Sequence, residues 1–206
     1  MRIVNHELVC EDGDPIKLTR VKPGVKSEIV PEVIVAHYAV THSLEATVAA
    51  QQARGYWAHL SIDGWNDGGR SEMRVVQQLP FNRRGSHAGE SLWQGRAGVN
   101  NFSVGIEIAN PGPLVMTPEG LKTTYGKLWD PNDAIETGPI KGYPVKWTHW
   151  AKYSAEETAL FTAICLALKE RYPIKALVGH SDISPGRKFD PGPAFDWGYV
   201  RDAVCL

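Results

Sequence analysis

The stretch Lys175-Ala176-Leu177-Val178-Gly179-His180-Ser181-Asp182-Ile183-Ser184-Pro185-Gly186-Arg187-Lys188-Phe189-Asp190-Pro191-Gly192 carries a short apolar strand straight into a histidine, then a loop with a lysine two positions before a carboxylate. A second apolar, β-branched run, Val33-Ile34-Val35-Ala36, leads into His37 in the same way. Runs of this kind read as buried strands. Two strand-end histidines and a carboxylate form a donor set for zinc, which takes neutral imidazole and carboxylate oxygen and, in catalytic sites, commonly keeps one position open beside three protein ligands. The pattern therefore predicts a metal site of His37, His180 and Asp190. Lys188 and Asp190 at i and i+2 face the same way in an extended segment, and Pro191 biases Asp190 towards that conformation. A plain ion pair between Lys188 and Asp190 on a solvated loop is the competing reading, but it leaves the arrival of two strands at histidines unexplained.

Further out, Ser103-Val104-Gly105-Ile106-Glu107-Ile108 alternates so that Val104, Ile106 and Ile108 share one face and Glu107 points to the other. Glu107 is the natural general base, able to move a proton from water to a leaving nitrogen if burial tunes its pKa; a solvated glutamate on an open sheet face is the equal alternative. His59-Leu60-Ser61-Ile62-Asp63-Gly64 reads as a strand whose hairpin partner is Met73 to Leu79, across Asn66-Asp67-Gly68-Gly69. Ser43 suits the N-cap of a helix from Leu44 to Arg54, and Ser154-Ala155-Glu156-Glu157 is a capping box opening a helix with Leu160, Phe161, Ile164 and Leu168 at core spacing before Pro173. Phe195 to Val204 can form a last helix. Residues 1–30, broken by Pro15, Pro23 and Gly24, read as an irregular N-terminal segment with room for a short hairpin. Residues 111–153 read as a long excursion with little regular structure, rich in aromatics that include Trp129, Trp147 and Trp150. Long irregular loops tend to be functional, so these tryptophans either shape a groove or pack as a secondary core. The expected fold is α/β: a single domain, 31–206, with a mixed central sheet flanked by helices.

At 206 residues and 43% hydrophobic content the chain can bury one substantial core. With 22 Lys+Arg against 23 Asp+Glu, no polyanionic partner is indicated, so nucleic acid is excluded as the expected ligand. Three scattered cysteines, Cys10, Cys165 and Cys205, argue against a disulfide framework. No stretch approaches a membrane span and the first residues lack an apolar leader core, so the chain is expected in the cytoplasm.

Taken in order, His37-Tyr38, Ala58-His59-Leu60-Ser61-Ile62, Ser86-His87-Ala88-Gly89, Ser103 to Ile108, Gly179 to Ile183, and Gly186-Arg187-Lys188-Phe189-Asp190-Pro191-Gly192-Pro193 resemble the zinc-dependent N-acetylmuramoyl-L-alanine amidases. That group includes phage lysozyme-type amidases, bacterial muropeptide amidases and peptidoglycan recognition proteins. The resemblance covers about residues 31 to 200. It implies Zn2+ at one end of a substrate groove, with His37, His180 and Asp190 as ligands, Glu107 and Lys188 as the catalytic pair, and peptidoglycan or a muropeptide as substrate. His59 and His87 are expected among the substrate-binding residues, although His59, inside a strand, also suits the core. The expected reaction is hydrolysis of the amide between N-acetylmuramic acid and L-alanine. The rivals are a peptidoglycan receptor without turnover and a zinc peptidase acting within the stem peptide. A recycling role in the cytoplasm and an endolysin role at the cell wall both fit the resemblance.

Overall fold

The computed structural model describes residues 1–10, 16–20, 27–63 and 73–206, with backbone alone for 16–20. In chain order the strands and helices are β1 (Arg2–Val4), β2 (Glu7–Val9), β3 (Ile16–Arg20), β4 (Val33–Tyr38), α1 (Leu44–Arg54), β5 (Leu60–Asp63), β6 (Met73–Gln77), β7 (Leu92–Trp93), β8 (Arg96–Ala97), β9 (Ser103–Ile108), β10 (Pro113–Thr117), β11 (Gly120–Thr123), β12 (Ala134–Glu136), β13 (His149–Ala151), α2 (Ala155–Arg171), β14 (Ala176–Gly179), α3 (His180–Ile183) and α4 (Trp197–Val204). The central sheet has the order β14-β4-β9-β5-β6-β3. It is mixed as expected: β14, β4, β9 and β5 run parallel, β6 pairs antiparallel to β5, and β3 runs parallel to β6.

Side-chain alternation splits this sheet into two unlike faces. Ile34, Ala36, Leu60, Ile62, Val104, Ile106 and Ile108 meet Leu160, Phe161, Ile164 and Leu168 of α2 and Val200 and Val204 of α4 in the main core. Burying one such aliphatic side chain contributes about 1.5–3 kcal/mol, so this face supplies most of the hydrophobic stabilisation. The other face carries a smaller cluster around Val33, Val35, Val99, Phe102, Val178 and Ile183, and by the same alternation it holds His37 and Glu107. The register Gly179↔Ala36 brings His180, the next residue, to the level of His37.

The helix signals act as read. Ser43 accepts from Ala46 N–H, and Ser154 and Glu157 form a reciprocal capping box at α2. Lysine and arginine in the last turn of α2 complement its dipole. The last helix starts at Trp197 rather than Phe195, because the Asp196 side chain caps it through Tyr199 N–H.

Two segments differ from their expectation. Residues 111–153 are not irregular: they build a four-stranded antiparallel sheet, β11-β10-β13-β12, with its own core of Leu114, Leu121, Trp129 and Ala151. Its strands span three to five residues, too short to leave a period against the surrounding glycines and prolines. Near the N-terminus β1 and β2 form the anticipated hairpin, but Ile16–Arg20 joins the edge of the central sheet rather than staying irregular. The Asn66–Gly69 turn, Pro15, Pro23 and Gly24 lie outside the described residues. No helix among the described residues is long and apolar enough to cross a membrane.

Candidate metal centre and active site

Three side chains from distant parts of the chain converge where β4, β14 and the loop after α3 meet. His37 Nδ1 lies 2.9 Å from His180 Nδ1 and 2.8 Å from Asp190 Oδ2, and His180 Nδ1 lies 3.1 Å from the same oxygen. All three residues are buried. The outer nitrogens fix where the ring protons sit. His180 Nε2 is 3.0 Å from the Ala88 carbonyl, which can only accept, so the proton is on Nε2 and Nδ1 is bare. His87 Nε2 is 3.3 Å from Ser103 Oγ and its Nδ1 is 3.0 Å from His37 Nε2; with His87 Nδ1 as the acceptor, the His37 proton sits on Nε2. His37 Nδ1 is therefore bare as well.

In these neutral tautomers two bare imidazole nitrogens and a carboxylate oxygen face one another. Lone pairs at about 3 Å repel, and a cation among them removes the repulsion. Their atoms lie close enough together to hold a metal ion, and the nitrogen and oxygen donors suit zinc. Each outer nitrogen engaged by a carbonyl or a second ring is the arrangement that orients metal-binding histidines.

Protonation favours the same state. Burial first, and the neighbouring His180 second, lower the His37 pKa to about 4 against the opposing pull of Asp190. Burial alone would raise the Asp190 pKa, but the adjoining His180 and His37 rings hold its carboxyl well below the usual range. At neutral pH His37 and Asp190 are in the form a metal requires.

The cluster opens on a cavity of about 410 Å³ whose wall includes Glu107, Lys188, His87 and Phe189. Glu107 is only 6% exposed, and its Oε2 has no hydrogen-bond partner among the described residues. Burial pushes its pKa well above the ordinary carboxylate value; Asp190 adds to the rise and Lys188 opposes it. This removes the picture of Glu107 as a solvated surface glutamate. A buried carboxyl with one unengaged oxygen at a cavity wall is equipped to exchange a proton with a ligand there.

Residues 27–193 match the family described as N-acetylmuramoyl-L-alanine amidase. This chain belongs to that amidase family. It is 36% identical over 130 residues to the 1,6-anhydro-N-acetylmuramyl-L-alanine amidase AmpD of Enterobacter cloacae, covering 62% of this chain and 50% of that protein. The chain spans about half the length of the curated relatives it matches. Among solved structures, Pseudomonas aeruginosa AmpDh3 superposes with a TM-score of 0.63 at 22% identity, over 96% of this chain and 66% of that one. The Escherichia coli amidase AmiD, solved with anhydro-N-acetylmuramic acid-L-Ala-D-γ-Glu-L-Lys, gives 0.62 at 23% identity, over 84% of this chain and 57% of that one. At these identities the superpositions speak for the fold.

Within this member of the amidase family, the two remaining histidines take different places from those expected. His59 is fully buried; its Nε2 donates to the Arg83 carbonyl at 2.7 Å and its Nδ1 accepts from Gly105 N–H at 3.1 Å. With both nitrogens engaged and the ring stacked near Phe81, His59 is a core residue that braces β9, which corrects the substrate-binding expectation. His87 lines the cavity, but its Nδ1 is committed to His37. Gly105 makes room for that ring, since a Cβ there would stand 2.3 Å from it.

Four contributors were not singled out as site residues by the sequence pattern. Arg187 Nη2 donates to the Ala88 carbonyl at 2.9 Å, the Glu90 carbonyl at 2.5 Å and Ser184 Oγ at 2.6 Å, tying the loop around residue 88 to the loop after α3. Asn100 Oδ1 accepts from the backbone N–H of both His87 and Ala88 at 3.0 Å each. Tyr143 and Trp147 of the inserted sheet's connections pack on Phe189, with ring centroids 4.9 and 5.1 Å away. Side-chain bonds to backbone and contacts between distant loops have no period to reveal them.

Proposed function

We propose that this chain is a zinc-dependent hydrolase that cleaves the amide between the lactyl carbonyl of N-acetylmuramic acid and L-alanine, with His37, His180 and Asp190 as the zinc ligands. The observation that carries the reading is the convergence of His37 Nδ1, His180 Nδ1 and Asp190 Oδ2 at the wall of a cavity shared with Glu107 and Lys188. Zinc, when bound, supplies Lewis-acid polarisation and a lowered water pKa at this place. Glu107 takes the proton from the attacking water and returns it to the departing alanine nitrogen, a transfer favoured by a carboxyl whose pKa lies well above its ordinary value. The Lys188 ammonium, on the wall of the same cavity, faces the oxygen on which negative charge develops and stabilises it. His87 holds the His37 ring in the tautomer that leaves Nδ1 free.

The names of the curated relatives support a 1,6-anhydro-N-acetylmuramyl-L-alanine compound as the substrate class, and a cytoplasmic recycling role goes with that reading. The endolysin expectation draws no support from those relatives. The decisive experiment incubates zinc-loaded protein with a soluble 1,6-anhydro-N-acetylmuramyl peptide and, separately, with intact sacculi, and identifies products by mass spectrometry. Release of a peptide beginning with L-alanine and an intact anhydro sugar is expected from the soluble substrate. Cleavage inside the stem peptide would turn the reading into a peptidase, and binding without turnover into a receptor.

A further inference from the structure

The short turn Val99–Asn101 that precedes β9 carries a side chain with an unusual pair of partners. Asn100 is 6% exposed, and its single carbonyl oxygen accepts from two successive backbone amides, His87 N–H and Ala88 N–H, at 3.0 Å each. An amide oxygen has two lone pairs and is filled by this arrangement. The same two residues hold the histidines of the cluster. His87 Nδ1 lies 3.0 Å from His37 Nε2, and the Ala88 carbonyl lies 3.0 Å from His180 Nε2. One side chain therefore holds the two-residue stretch whose ring, at His87, and carbonyl, at Ala88, both histidines meet.

We propose that Asn100 is a positioning residue for the metal centre, setting the orientation of His37 and His180 together through the His87–Ala88 backbone. This rests on the reading of His37, His180 and Asp190 as metal ligands. Arg187 also reaches the Ala88 carbonyl, but it touches neither backbone amide, so it can draw the carbonyl towards the loop after α3 without holding the His87 ring in register with His37. The roles are complementary: Arg187 tethers the loop outwards, and Asn100 pins it to the start of β9. Replacing Asn100 by alanine leaves two buried amides without an acceptor, and the loop must move to find water or another partner. Because both rings follow that loop, the effect falls on both histidines at once.

The test is zinc affinity, measured by competition with a chromophoric chelator on the purified chain, beside circular dichroism and melting temperature of the metal-free form. Asn100→Ala should bind zinc 10- to 100-fold more weakly, the range typical when the groups that orient metal ligands are lost. Asn100→Asp keeps an acceptor for both amides and should bind near the wild-type level. Leu168→Ala, in the core on the opposite face of the sheet, should melt at least as early as Asn100→Ala yet keep wild-type zinc affinity. If Asn100→Ala does not fold, Asn100→Ser, which withdraws the acceptor from the two amides, carries the same comparison.

A folded Asn100→Ala with wild-type zinc affinity overturns the proposal. Equal weakening in Asn100→Asp overturns it too, as does equal weakening in Leu168→Ala, which would trace the loss to general destabilisation. A wild-type protein that binds no zinc would bring down this inference and the proposed function together; wild-type binding with an unaffected Asn100→Ala would remove this inference alone.

Discussion

His37 and Glu107 are opposite one another in the parallel ladder between β4 and β9, on the face turned away from the main core. Adjacent strands thus deliver one residue of the His37–His180–Asp190 cluster and one buried carboxyl side by side, and the alternation that keeps Ile106 and Ile108 in the core fixes both on the other face. A buried carboxyl with a raised pKa costs stability when it must ionise and is useful when it must exchange a proton. Glu107→Gln separates the two consequences. Turnover should fall on the order of a hundredfold or more with zinc retained, while the metal-free variant should melt higher than wild type at neutral pH, where ionising the buried carboxyl is a penalty. Steady-state kinetics, metal analysis and calorimetry on the same preparation check this, and turnover near the wild-type rate would move the proton role to another residue.

The acid sensitivity of the metal-free protein follows from its buried histidines. His37 and His59 have pKa values lowered from 6.5 to about 4, in both cases chiefly by burial, and burial also holds that of His87 well below its ordinary value. Depressed folded-state values mean that the unfolded chain binds more protons between these limits. Stability is therefore fully present above about pH 6.5 and lost as the pH falls towards about 4. For His59 alone a difference of this size corresponds to about 3 kcal/mol. Glu107, whose pKa is raised, acts in the opposite sense, because acidification relieves its ionisation penalty. The melting temperature should thus drop between pH 6.5 and 4, and drop more steeply in Glu107→Gln. A flat profile across this window would show that these rings are not held neutral by burial.

The residues legible in the sequence were those with a period or a boundary. β4, β9 and β14 announce themselves as apolar runs or alternations ending on or carrying His37, Glu107 and His180, and α2 by its capping box and core spacing. Asp190 followed from its distance to Lys188. What escaped was held by contacts that leave no local pattern: Asn100 on two backbone amides, Arg187 on two loop carbonyls, and an inserted sheet of strands so short that glycine and proline dominate their surroundings. His59 shows the converse, since a histidine inside a strand reads the same whether its nitrogens meet a ligand or, as here, the backbone of Arg83 and Gly105.

Metal removal should be visible as lost stability. A ligand that binds only the folded state stabilises it by about 4 kcal/mol at a free concentration a thousand times its Kd. Differential scanning fluorimetry should therefore show a fall in melting temperature with a chelator and full recovery on adding zinc. His180→Ala should be insensitive to both treatments, since it removes one of the three converging donors. Retained stoichiometric zinc in that variant would take His180 out of the site.

The inserted sheet makes its clearest contribution through packing. Trp129 is 7% exposed and Trp150 is 1% exposed, so these two rings form core rather than an open sugar-binding surface. Trp150 stands 6.4 Å from the Tyr38 ring at the end of β4, and a Cβ added to Gly192 would come within 2.8 Å of it. Its neighbours Tyr143 and Trp147 pack on Phe189, between Lys188 and Asp190. The aromatic group thus backs the very loop that supplies the carboxylate and the lysine. Trp150→Ala should cost about 3–5 kcal/mol of stability, as expected for emptying a buried aromatic site, and should also weaken zinc binding, because the loop loses the wall behind it. Gly192→Ala should act in the same direction, since its φ of 77° disfavours a side chain and the added methyl meets the Trp150 ring. Melting temperature and zinc affinity of both variants decide the matter. If Trp150→Ala melts with the wild type and loses only activity on polymeric wall, the insertion works as a groove and the packing account fails.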